Sequence, residues 1–137
     1  MNNQTKLLLA ITLSMTTVFI SSSCSRTVED RLPGDWNYTE TGTSTVTNNG
    51  TVYSDNINIT GTATFTDDGT GSITIGSEIS TITWEVVEDV ISITEEGKQI
   101  NCFITTNDKT LQEWDAEYEE TGADFTFKTE IKITLTQ

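Results

Sequence analysis

The side chains able to do chemistry in this sequence are mostly carboxylates: 21 Asp and Glu stand against 7 Lys and Arg, and there is no histidine. Without histidine the chain lacks the commonest general base, the usual zinc ligand and the partner that activates a serine or cysteine nucleophile. Two carboxylates can hydrolyse a glycosidic bond, but one of them needs an apolar frame that raises its pKa. The densest acidic row, Glu113, Asp115, Glu117 and Glu119, alternates with Trp114, Ala116 and Tyr118. That spacing puts the acids on one flat strand face, whereas a calcium ion wants oxygens converging from a curved loop. A solvated face is expected, with no metal and no cofactor. Asp67-Asp68-Gly69-Thr70-Gly71 lacks the spaced acids of a calcium loop and reads as a turn. Cys102, set between Ile100 and Ile104, is expected to be a packing residue with an inert thiol. No residue is assigned a catalytic role, and a carboxylate-based hydrolase stays as a remote alternative.

The other cysteine, Cys24, has a different setting. Lys6 is the only charged side chain before it, and residues 7–20 form an apolar stretch diluted by threonine and serine. That stretch falls short of the roughly 20 residues a membrane-spanning helix needs, but it suits the core of a signal peptide. Ser21, Ser22 and Ser23 then lead directly into Cys24. Small residues before such a cysteine resemble the lipobox of bacterial lipoproteins. The resemblance implies cleavage after residue 23, lipidation of Cys24, and attachment to a membrane in the cell envelope, where two or three chains hold firmly. The alternative is ordinary secretion, with Cys24 kept as a thiol or joined to Cys102 in an oxidising compartment.

Removal of residues 1–23 takes away one cation and no acid, so the remainder is more acidic still than the whole chain, whose formal charge is −14. Such a surface repels phosphate backbones, and no nucleic-acid partner is expected. Residues 24–31 are polar and without period, and read as lipid anchor and tether. Residues 32–137 are enough for one domain with a modest core.

Within that domain the apolar residues recur every second position, the mark of strands with one buried face. Ile57, Ile59, Gly61, Ala63 and Phe65 alternate with asparagine and threonine. Ile73 and Ile75 resume after the Asp67-Asp68-Gly69 turn. Ile82, Trp84 and Val86 follow, then Ile91 and Ile93, then Ile100, Cys102 and Ile104, and finally Phe125, Phe127, Ile131, Ile133 and Leu135. Upstream, Thr39, Thr41, Thr43, Thr45 and Thr47 make a solvated row and leave Trp36, Tyr38 and Val46 for the other side. Val87 and Phe103 fall on polar faces, and the apolar phase slips between Leu111 and Trp114, which suggests a β-bulge there. Short strands joined by short turns predict an all-β, up-and-down antiparallel barrel of about eight strands, with a β-sandwich as the alternative.

Leu32-Pro33-Gly34-Asp35-Trp36, at the start of the first strand, resembles the Gly-x-Trp opening of lipocalins. It is more similar still to the lipocalin-like domains of Bacteroidetes lipoproteins, in which a strand and turn like residues 63–71 and a later tryptophan, here Trp84, follow. The resemblance covers residues 32–136. It implies structural roles for Gly34 and Trp36, with the indole plugging the closed end of the barrel. A small barrel can be filled by its own side chains. Gly42, Ser44, Gly61 and Ala63 on inner faces could therefore open a cavity or only relieve crowding at a bend.

The expected function is that of a non-enzymatic envelope lipoprotein, binding a small apolar molecule, a glycan or a protein partner through a lipocalin-like barrel. The alternative is a structural accessory subunit of an envelope assembly.

Overall fold

The computed structural model describes residues 27–137; the expected leader and the lipidation at Cys24 lie outside the described residues. A single helical turn, α1 (Val28–Arg31), precedes eight strands: β1 (Gly34–Asn48), β2 (Thr51–Phe65), β3 (Thr70–Ile75), β4 (Glu78–Val87), β5 (Val90–Glu95), β6 (Lys98–Asn107), β7 (Leu111–Thr121) and β8 (Phe125–Thr136). Each strand runs antiparallel to its sequence neighbour, and β1 pairs with β8 to shut the ring. The up-and-down barrel therefore stands and the sandwich does not, since one sheet closes on itself.

The inner side chains are those the alternation picked out, but they are buried at one end only. Trp36, Phe65, Ile82, Trp84, Ile91, Cys102, Trp114, Ile133 and Leu135 fill the end holding the β2–β3, β4–β5 and β6–β7 turns. There Phe65 sets its ring edge-on to both Trp84 and Trp114, with centroids 6.0 Å apart, a favoured geometry for aromatic pairs. We call this the closed end.

Three expectations need correcting. The polar stretch read as a tether is partly folded: Val28, the first residue of α1, and Leu32, just after its last, are buried in the barrel end. One turn of helix is too short to hold alone. It is held by those two apolar anchors and by the Arg31 guanidinium, which donates to the Asn107 carbonyl oxygen. Secondly, the strands are not uniformly short. β1 and β2 have 15 residues each, because Asn49 and Gly50, both at positive φ, make a tight turn far from the core. Thirdly, the irregularity lies in β6, where the register with β7 shifts between Ile104 and Thr106. In β7 the inward position is held by Gln112, fully buried, whose Nε2 donates to Asn107 Oδ1 and the Asp108 carbonyl, each at 2.8 Å. The apolar phase seemed to slip because a polar residue occupies an inner site.

Candidate binding site at the open end

The parting of two neighbouring strands creates the site. β6 and β7 are paired from Asn107 and Gln112 only as far as Phe103 and Asp115. Beyond that, β6 keeps only β5 as a neighbour and β7 keeps only β8. The two strands part and leave a cavity of about 390 Å³, lined by Glu40, Ile100, Ala116, Tyr118, Thr129 and Ile131, with Gln99, Asn101 and Glu117 at its rim. That volume is within the range of small-molecule sites. Further out, β1, β2, β7 and β8 continue as a wall that the shorter β3, β4 and β5 do not face. Its inner side shows Tyr53, Phe125 and Tyr118, the last 55% exposed, with the Tyr118 and Phe127 rings 6.0 Å apart.

One polar device sits in the cavity wall. The buried Tyr38 hydroxyl donates to Glu40 Oε2 at 2.6 Å. Burial first, and the neighbouring Glu40 carboxylate second, push the phenol pKa up. Burial likewise pushes the Cys102 thiol up to about 12, with a smaller contribution from Glu40. The expected inert cysteine is accordingly a free thiol enclosed in the core. Glu40 is the residue that sequence reasoning missed. It shares the parity of Trp36 and Tyr38 along β1, so counting along the alternation would have found it.

The other sequence candidates lie elsewhere. Gly34 and Trp36 belong to the closed end. Gly34 has φ +137°, a conformation side chains rarely adopt, and it turns the chain from α1 into β1. Trp36 is 2% exposed and its Nε1 donates to the Leu32 carbonyl at 2.7 Å, so the indole ties α1 across the end. At Gly42 a Cβ would lie 2.0 Å from the Glu130 carbonyl oxygen, and at Gly61 2.1 Å from that of Thr74. These glycines relieve crowding where the sheet bends, and Ala63 is simply buried.

The acidic row on β7 faces outward, against lysines of β8. Lys128 Nζ lies 2.6 Å from Glu130 and 3.0 Å from Glu117, while Lys132 is 3.8 Å from Glu113 and 4.0 Å from Asp115. Among the described residues no group of acids or thiols could hold a metal ion. In the β2–β3 turn Asp68 Oδ1 accepts from the Thr66 and Thr70 hydroxyls, both at 2.6 Å, which hold its carboxyl below the usual range. Outside the barrel, Val87, Val90 and Phe103 stand side by side in register, with Phe103 63% exposed. A broader, shallow hollow of about 510 Å³ lies beside Phe103, across the outer faces of β1, β7 and β8.

No family model matches this chain, and no curated protein matches it. A solved structure described as a redesigned beta barrel is similar at 17% identity and a TM-score of 0.46, covering 80% of this chain and 94% of that one.

Proposed function

We propose that this chain is a non-enzymatic envelope lipoprotein, lipocalin-like, whose open barrel end binds a small apolar molecule that is neutral or positively charged. The observation that carries the reading is the cavity between β6 and β7, apolar at Ile100, Ala116, Tyr118 and Ile131, with the Glu40 carboxylate in its wall. Glu40 and the overall charge of −14 repel an anionic head group, and a low-dielectric cleft focuses that field.

Titration with alkyl chains of one length, ending in an ammonium, a hydroxyl or a carboxylate, tests this through tryptophan and tyrosine fluorescence. Binding of the first two and about tenfold weaker binding of the third are expected, with Glu40→Gln narrowing the gap. Absence of binding by all three removes the ligand. Equal binding by all three removes only the charge selection. Anchoring is tested separately. Metabolic labelling with a fatty acid should mark the chain, and Cys24→Ala should abolish the label.

The outward row of exposed Val87, half-buried Val90 and exposed Phe103 favours a second reading, an accessory subunit that docks an envelope partner on its outer wall. Phe103→Ser should then release a co-purifying partner without changing ligand binding.

A further inference from the structure

We propose that the free edge of β2 is a self-association surface, on which two copies of this chain pair their β2 strands antiparallel about Asn56. β2 is paired with β1 along its whole length, but with β3 only from Thr62 to Phe65. Residues 51–60 therefore have a strand on one side and, among the described residues, no paired strand on the other.

The pairing parity says which backbone groups are open. A two-residue turn makes its flanking residues, Asn48 and Thr51, a hydrogen-bonded pair. Bonds to β1 then come from Thr51 and every second residue after it. Val52, Ser54, Asn56, Asn58 and Thr60 aim their N–H and C=O groups away from β1. The same parity serves the β3 side, where the Thr66 N–H donates to the Thr70 carbonyl at 2.9 Å and Thr64 and Thr62 pair with Ser72 and Thr74. All five open residues are exposed.

Free strand edges are normally guarded by charge, proline or a bulge. The corresponding edge of β7 carries Glu117, Glu119 and Glu120. The β2 edge has no proline and no outward-facing charge, and from Thr41 to Thr66 the one charged side chain is the inward-facing Asp55. In a chain of net charge −14, two copies repel one another over most of their surfaces and can approach here. The register that uses the whole edge sets Asn56 opposite Asn56, Ser54 opposite Asn58, and Val52 opposite Thr60. On the inner side it brings Tyr53 against Ile59, a favourable aromatic and β-branched pair, and Asp55 against Ile57. Moving the centre to residue 55 sets Asp55 against Asp55, which like-charge repulsion disfavours.

The test uses the full chain with Cys24→Ala in mild detergent, studied by sedimentation velocity. A monomer–dimer equilibrium is expected. Asn58→Pro removes an open-edge donor in both copies and leaves the bonds to β1 intact, so the dimer should weaken about tenfold or more with an unchanged far-ultraviolet spectrum. If that variant loses its β spectrum, Asn56→Lys replaces it, placing two cations face to face. A disulfide introduced by Asn56→Cys should link two copies, since Cα atoms of such a pair lie about 5.5 Å apart. Val52→Cys, which faces Thr60 of the other copy, should not link. A strictly monomeric chain overturns the proposal and leaves the edge to a strand from another protein. A dimer indifferent to both edge variants, or equal linking at 52 and 56, overturns it as well.

Discussion

The two ends of this barrel follow the same alternating pattern and reach opposite results. At the closed end all eight strands are present, inner side chains meet across the axis, and α1 with Trp36 seals the rim. At the open end β1, β2, β7 and β8 run on while β3, β4 and β5 turn back, so inward aromatic and aliphatic residues such as Tyr118, Phe125 and Ile100 find no opposing wall. An inward position in a strand is thus a necessary condition for burial and not a sufficient one. The opposite strand must also be long enough to reach it. The closed end accepts a polar cost as well: Gln112 Oε1 and Trp114 Nε1 are buried with no hydrogen-bond partner among the described residues, each a penalty of about 1–3 kcal/mol.

That contrast can be broken by mutation. Trp114→Ala at the closed end should have the largest effect, about 3–5 kcal/mol of lost stability, read as a lowered urea midpoint. Alkali should act on the same end. Cys102 ionises near its ordinary value of 9.0 when unfolded and near about 12 when folded. Stability is therefore complete below pH 9 and falls as the pH climbs from 9 towards 12, where only the unfolded state releases the proton. Tyr38, also raised, adds to the same loss. Cys102→Ala should make the pH dependence of the urea midpoint shallower over that window, whatever it costs at neutral pH. Gly42→Ala, at the bend between the ends, forces a methyl group onto the Glu130 carbonyl and should cost about 1–3 kcal/mol. Trp36→Phe keeps one six-membered aromatic ring but loses the pyrrole half of the indole and its bond to the Leu32 carbonyl, for about 1–3 kcal/mol, with faster amide exchange at α1. At the open end Tyr118→Ala should leave the midpoint unmoved yet weaken binding of an alkyl ammonium. Lys128→Ala, on an exposed ion-pair face, should change neither.

The architecture was legible because threonine and asparagine separate the isoleucines so regularly, and because turns such as Asp67-Asp68-Gly69 and Glu95-Glu96-Gly97-Lys98 declare themselves. What was not legible depends on partners remote in sequence. Whether residues 27–31 fold could not be read from their polarity, since α1 is held by a groove that only the finished barrel supplies. The free edge of β2 follows from a 15-residue strand beside a 6-residue one, and that of β7 from its parting from β6 beyond Phe103 and Asp115; no local pattern reports how far a neighbour stays paired. Glu40 was within reach by counting parity. Gln112 was within reach for the same reason, since it shares the parity of Trp114 along β7; neither declares itself by residue type, because charged and polar side chains ordinarily face water.

The β1–β8 seam has a consequence for how this molecule is made. Asn37 Nδ2 donates to the Thr136 carbonyl across 99 positions of sequence, while every other strand pair is a hairpin that can form locally. A ribosome or a translocation channel can deliver seven strands and still leave an unclosed ribbon, with β1 waiting for its second neighbour. Ring closure must follow emergence of the final strand, so completion of the native state is a late event whose speed is set by a long loop-closure search.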